Sequence, residues 1–382
     1  MTENPSRPWP LFLSDYLRGV AISLLSLFSV IFIYKSTGKL WGDQVALLAV
    51  PLFFLGLYSF KLIAGLGAEN LAQKIGLKKQ IYLGHLFLVL ALACLFWAKS
   101  LPGLILPASL LWGLSAGFYW FGWYGLMAKV GQMGFFGRQL GTFGAAASIF
   151  SLWVPFLGGL VIAELGYPTL FLFSLAFVVL SLLALGRLAE EKTHVDTTLV
   201  EVFGLFKTHL PMFLAYFGES AAALLNSVAL PLYLFLILKE ELSLGGFFTL
   251  AIILAAAANF LIGRWVDFNG KDKPIVLGSV VFFLVYFGRA VVASVPGLLV
   301  LSVIANLGGN LRGIPLSVWS YEKALDGHST GRAILFREMA IGLGEVAGCL
   351  LLLLVIWSQV GLNWAFLLAA ILTLLPLLIC RK

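Results

Sequence analysis

The chain has 382 residues, 61% of them hydrophobic and only 11% charged, with a formal net charge of +7 and a mean hydropathy of +1.00. Soluble domains carry about 25% charged residues, so this composition excludes a soluble fold and a disordered chain alike, and three cysteines exclude a disulfide scaffold. The apolar runs are too long and unbroken for a membrane β-barrel, whose strands alternate over roughly ten residues; an all-α polytopic membrane protein is left.

A membrane helix takes about 20 apolar residues. Apolar windows predict spans over about 11–34, 44–66, 80–98, 103–127, 139–162 and 168–187. A second set follows over about 209–237, 244–263, 274–293, 297–321, 333–357 and 364–380. Met1 to Pro10 is polar, and Asp15 and Arg18 interrupt the first run. No short apolar segment with a small-residue cleavage site appears there, so the first helix reads as retained. One long polar stretch, Arg187 to Lys207, separates the sets. The expected organisation is an N-terminal six-helix bundle over 1–187, a cytoplasmic linker over 188–208 and a C-terminal six-helix bundle over 209–382.

Lysine and arginine concentrate in alternate loops, from Lys74, Lys78 and Lys79 through Arg138 and Lys207 to Arg332 and Lys382. The other side keeps Lys35, Lys39, Lys99 and Lys239. The positive-inside rule then places both termini in the cytoplasm of an inner or plasma membrane. An ungapped shift of 194 takes Gly76 to Gly270, Lys79 to Lys273, Gly84 to Gly278, Lys129 to Lys323, Arg138 to Arg332 and Arg187 to Arg381. The chain therefore reads as a duplicated six-helix unit with both copies in one orientation, a standard transporter architecture.

Other classes are disfavoured. Cys94, Cys349 and Cys380 are isolated and the four histidines scattered, so neither a metal centre nor a redox pair is indicated. Gly113-Leu-Ser-Ala-Gly117 matches a hydrolase elbow, but lies inside an apolar helix where that elbow needs a strand-to-helix turn. Short basic loops suit lipid headgroups better than nucleic acid. The expectation is a non-enzyme, without cofactor beyond a proton gradient and acting as a monomer. Its partners are a small-molecule substrate and membrane lipids, with no nucleic acid.

The loop after the eighth span reads Gly263-Arg-Trp-Val-Asp267-Phe-Asn-Gly270-Lys271-Asp-Lys273. It resembles the G-x-x-x-D-x-x-G-[RK]-x-[RK] loop of the major facilitator superfamily, and helix count, linker and repeat extend the resemblance over the whole chain. Gly270 suits a tight turn and Asp267 a helix N-terminus. The resemblance implies that Asp267 faces the start of the fifth span near Arg138 or Thr142. The first copy, Glu69 to Lys79, departs from the pattern. Gln73 replaces the acid and Glu69 a glycine, while Gly76 and Lys78 are kept; Glu69 stands one turn away as a substitute acid. Pro155-Phe-Leu-Gly158-Gly159 is similar to the P-x-x-G-G signature of the superfamily's proton antiporters, although Phe150 and Val154 replace two glycines. Any bent packing helix would show the same proline and glycines.

Ionisable groups inside apolar spans are the sharpest signal, because each costs about 2.5–3.5 kcal/mol at the bilayer centre by insertion scales. Glu219, Arg312 and Glu345 fall near mid-depth; Asp15, Arg18 and Lys61 lie nearer the cytoplasm and Arg289 nearer the outside. The resemblance implies a central cavity lined by spans 1, 4, 7 and 10. Glu219 and Asn226 share a face of the seventh, Asn306 and Asn310 a face of the tenth, and Trp120 and Tyr124 a stripe of the fourth. Glu219 and Glu345 are the candidate proton carriers, with Arg312 the cation that modulates them; a fixed Glu–Arg staple is the alternative. For Asp15 and Arg18 a local pair competes with a binding role, for Lys61 snorkelling to the interface, and for the aromatic stripe ordinary packing.

Together these readings predict a secondary active transporter working by alternating access, exporting an apolar or amphiphilic compound in exchange for protons. An importer of an anionic solute using Arg312 or Arg289, and a non-pumping receptor or lipid-handling scaffold, are the rivals.

Overall fold

A computed structural model describes residues 9–130, 152–186, 188, 190, 199–266, 272–309 and 330–380. The described residues form helices without strands. In chain order these are α1 (Trp9–Trp41), α2 (Asp43–Ile75), α3 (Leu77–Ala98), α4 (Ile105–Val130), α5 (Val154–Leu165) and α6 (Tyr167–Leu185). There follow α7 (Leu199–Thr208), α8 (Leu210–Leu238), α9 (Glu241–Val266) and α10 (Asp272–Val291). The last are α11 (Val295–Gly309), α12 (Thr330–Trp357) and α13 (Asn363–Leu372), the last continued by a 3-10 turn at Leu375–Ile379. Among the described residues, eight helices are long and apolar enough to cross a membrane, and four shorter ones are apolar. Each of the twelve expected spans coincides with one of them, the stretches 139–151 and 310–321 lying outside the described residues.

Two elements differ from expectation. α1 and α2 each run 33 residues, about 50 Å at 1.5 Å per residue, against a hydrocarbon core of about 30 Å. Their ends are polar enough to stand in the headgroup layer, which hydropathy windows cut away. The linker contains the helix α7. Val202 on it is fully buried, packed with Leu205 and Phe206 against Tyr216, Leu335 and Phe336. The 199, 202, 205 and 206 spacing is one helical face.

Turns are tight where glycine allows them. Gly42, Gly76 and Gly166 have φ of 85°, 94° and 84°, the left-handed region that costs glycine nothing, and each joins two helices. They define two ends of the bundle: a Gly42 end, which also holds Gly166 and Lys239, and a Gly76 end. Shifted by 194, the limits of α3 become 271–292, against Asp272–Val291 for α10, and those of α6 become 361–379, against Asn363–Ile379.

α1 and α3 each pack on α6, and α4 packs on α2 and α3. In the second set α8 packs on α12 and α13, and α10 on α13. The sets meet chiefly where α2 packs on α12, α5 on α9 and α1 on α8, with a smaller contact of α4 with α12. Small residues allow the closest of them. A Cβ on Gly159 would fall 2.6 Å from the Glu241 carbonyl oxygen, and one on Gly158 would strike Phe28 of α1. Gly245 of α9 faces the Pro155 carbonyl in the same way.

Candidate transport site between the helix sets

Near the middle of α2, Lys61 crosses to α12. Its Nζ donates to both carboxylate oxygens of Glu345, at 2.8 and 2.7 Å. The side chains are only 10% and 15% exposed, so the pair is largely taken out of solvent. Removing one partner would strand a buried charge. Lys61 therefore does not snorkel to an interface. A short reach to an acid on the facing helix outcompetes a long one to water. Tyr58 stands beside it, its ring centre 5.7 Å from Nζ.

Two groups that sequence reading did not single out, Glu338 and Arg337, complete this cluster. On α12, Glu338 sits two turns before Glu345, and Arg337 donates to it at 3.4 Å. Arg337 also lies over the Tyr124 ring, 4.9 Å from its centre. Tyr124 stacks on Trp120 at 5.5 Å, and both rings are partly buried against the α3–α4 core. The aromatic stripe of α4 thus packs upon itself and floors the cluster with Tyr124. A cavity of about 20 Å³ opens beside Lys61 and Glu338. The seven-residue spacing of Glu338 and Glu345 was visible in the sequence; the pairing of α12 with α2 was not.

A second polar network lies within the first helix set. Tyr119 of α4 donates its hydroxyl to Asp15 Oδ1 at 2.6 Å, while the Arg18 guanidinium lies 3.7 Å from the centre of the same ring. Asp15 and Arg18 are thus bridged by Tyr119, a wider arrangement than the expected one-turn pair. Beside it, His85 Nδ1 faces the Ile81 carbonyl at 2.9 Å and Nε2 faces Ser181 Oγ at 2.8 Å. Ser181 donates onward to the Ser14 carbonyl at 2.7 Å. His85, Ser181 and Ser14 are at most 1% exposed; they tie α3 to α6 and α1 by buried hydrogen bonds.

In the second set, Arg289 of α10 donates to Asn226 Oδ1 of α8 and to Ser302 Oγ of α11, the latter at 3.0 Å. Asn226 is therefore a partner of Arg289, and Asn306 donates to the Ser302 carbonyl one turn back. Glu219 is partly buried on the Asn226 side of α8, and the described contacts of the Lys61 cluster do not include it. Arg312 and Asn310 lie outside the described residues.

At the Gly42 end, Lys35 of α1 donates to Glu241 of α9 at 2.5 Å, and Tyr167 of α6 donates to the same oxygen at 2.9 Å. The α5 amide of Phe156 donates to Thr249 Oγ1 of α9 at 3.0 Å. The Pro155, Gly158 and Gly159 motif is thereby seated between α1 and α9.

A model of the Major Facilitator Superfamily matches residues 11–309. The chain belongs to that superfamily. It is also similar to a Bacillus subtilis (strain 168) protein described as "Uncharacterized protein YqgE", 22% identical over 355 residues, which cover 89% of this chain and 80% of that protein. It is an integral membrane protein and a secondary transporter rather than an enzyme.

The superfamily loops are placed as follows. Gly76 closes the first, and Glu69 is buried at 4% exposure on α2. The acid at this turn comes from beyond α6. Glu190 Oε1 accepts from the Lys78 amide at 3.0 Å, at the start of α3, and lies against Gly76 where a Cβ would stand. Lys78 Nζ donates back to the carbonyls of Gly186 and Leu188, at 3.1 and 2.5 Å. Gly263 lies in α9; Asp267, Gly270, Lys271 and Arg138 lie outside the described residues. Arg332 is partly buried in the first turn of α12.

Proposed function

We propose that this transporter couples export of an apolar or amphiphilic small molecule to proton entry, with both termini on the cytoplasmic side of an inner or plasma membrane. The supporting observation is the Lys61–Glu345 pair, which joins the two helix sets inside the span. A proton on Glu345 removes the charge that Lys61 needs, so the strength of the contact between the sets depends on proton occupancy. That is the property a rocking carrier requires for coupling. Glu345 is the principal carrier in this reading and Glu219 the secondary one; Arg312, Asn306 and Asn310 belong to the same pathway. The seating of Pro155, Gly158 and Gly159 against α1 and α9 supports a hinge at α5. Trp120 and Tyr124 offer flat apolar surface to a substrate once the sets part. The gradient is the only cofactor, and the protein works as a monomer among lipids.

Reconstituted vesicles test this. An imposed pH gradient should drive ethidium against the proton flow in the wild type, and Glu345→Gln should leave ethidium movement indifferent to the gradient. Gradient-driven movement that persists in Glu345→Gln removes Glu345 as the carrier. A vesicle with no gradient-linked flux, yet stable lipid binding, favours the non-pumping scaffold.

One observation favours a second reading, import of an anionic solute. Arg289 is 2% exposed, and its described hydrogen-bond partners, Asn226 and Ser302, are neutral. A buried guanidinium among neutral groups gains most from an arriving carboxylate. Uptake of labelled lactate or benzoate that is lost in Arg289→Gln would establish it.

A further inference from the structure

Glu338 has no part in the function proposed above, yet it borders the same cavity as Lys61. That cavity, about 20 Å³, is lined by Lys61, Gly65, Gly117, Phe121, Glu338 and Gly342 among others. It holds about one water, which needs roughly 10–15 Å³. Lys61 has three donors and spends two on Glu345. The ammonium reaches the cavity wall with one to spare. Across it, Glu338 receives from Arg337 at 3.4 Å, at the weak end of hydrogen bonding, so the carboxylate keeps acceptor capacity. Glu338 is within electrostatic range of both Lys61 and Glu345.

The charges balance at two and two: Lys61 and Arg337 against Glu338 and Glu345. Protonating Glu345 upsets that balance. Its carboxylate gains an O–H bond, and Lys61, still an ammonium, is left buried beside a neutral acid. That state is costly unless a second carboxylate lies within reach. Glu338 is seven residues before Glu345, about 10 Å along the axis on the same face. The space between carries glycines: a Cβ on Gly342 would stand 2.9 Å from Leu62 Cδ1, and one on Gly117 2.6 Å from the Lys61 carbonyl.

We propose that Glu338 is the alternate partner of Lys61, and that Lys61 moves through the glycine-lined cavity from Glu345 to Glu338 when Glu345 takes up a proton. The inference rests on Glu345 being the proton-carrying group. The proton comes from water and returns to it; only the carboxyl O–H bond forms and breaks. Glu338 lies nearer the Gly76 end, so the exchange moves the α2–α12 bond toward that end and changes which end of the bundle is held shut. The titratable and charged groups facing the cluster are Tyr58 of α2, Tyr124 of α4, Tyr216 of α8, and Arg337 and Cys349 of α12. In ordinary surroundings tyrosine and arginine titrate above pH 8, and the test below removes Cys349.

The test uses the whole protein in lipid nanodiscs, with the proton as the only ligand. Cys94, Cys349 and Cys380 are replaced by alanine, and spin labels are placed through Ser100→Cys and Ser358→Cys. Both positions are exposed at the Gly42 end, one in each helix set. The label-to-label distance distribution is compared at pH 5 and pH 8. The parent should show populations that change severalfold with pH. E338Q should abolish that change, E338D should keep it, and G342A, which narrows the path against one flexible leucine, should weaken it. An E338Q protein that responds like the parent overturns the inference while leaving Glu345 as the carrier. A parent without any response, or an undiminished response in E345Q, overturns the reading on which the inference rests. Should E338Q not fold, G342A decides alone: an unchanged response overturns the exchange.

Discussion

Lys35 near the end of α1 and Glu241 at the first residue of α9 meet at 2.5 Å, with Tyr167 of α6 donating to the same carboxylate oxygen at 2.9 Å. The contact joins the two helix sets at the Gly42 end, while Lys61 and Glu345 join them further in. Lys35 is 45% exposed, so the ion pair itself contributes about 1 kcal/mol or less. A factor of up to about five in the closed population follows. Such a weak latch suits an end that has to open in every cycle.

Glu241→Gln should therefore raise the open population at the Gly42 end by up to about fivefold. Spin labels at positions 100 and 358 would read it as a longer mean distance. The charge swap Lys35→Glu with Glu241→Lys should bring the distance back toward the parent value.

Gly159 is one of the points of close approach between α5 and α9. A Cβ there would lie 2.6 Å from the Glu241 carbonyl oxygen and 3.0 Å from Leu242 Cα, both backbone atoms. Gly159→Ala should cost about 1–3 kcal/mol, the range for overpacking, and lower the melting temperature accordingly. Gly246→Ala, where nothing lies within 4 Å, should leave it unchanged or slightly raised. Equal effects would show that α5 and α9 are not in close contact in the membrane.

Tyr119 serves Asp15 and Arg18 through different parts of one side chain. Tyr119→Phe removes the 2.6 Å hydroxyl bond to Asp15 while keeping the ring under Arg18. It should destabilise the protein by about 1–3 kcal/mol, the cost of leaving a buried polar group unsatisfied. Tyr119→Leu should cost more, because the cation–π contact goes as well. Thermal unfolding of the two variants side by side is the measurement.

Glu190 caps the start of α3 from outside the helix. Glu190→Gln retains an acceptor and should cost a few tenths of a kcal/mol, whereas Glu190→Ala should cost about 1 kcal/mol, as for other lost N-caps. Gly76→Ala should be worse than either, since φ is 94° there and the new methyl meets the Glu190 carboxylate. Proteolysis at the Gly76 end should rise in the same order.

The membrane class, the twelve apolar segments and the 194-residue repeat were all legible without coordinates. They depend on local composition and on order along the chain, which sequence states directly. The ionisable residues within the spans were legible too, because a charge in an apolar run stands out at any resolution. Their partners were not. Sequence alone pairs Glu345 with Arg312 and sends Lys61 to the interface. Yet 284 positions separate Lys61 from the acid it holds, and no local pattern encodes which helix faces which.

Glu190 shows the same limit from the other side. The first superfamily loop lacks its acid at Gln73, and the carboxylate at this turn arrives from a segment 112 residues later, through the return of α6 to the Gly76 end. Apolar runs along the chain determined where the spans lie, though not the linker helix α7. Close packing at glycines, acting between helices far apart in sequence, decided which buried charges meet, because burial makes an unpaired charge far more costly than a long-range pairing.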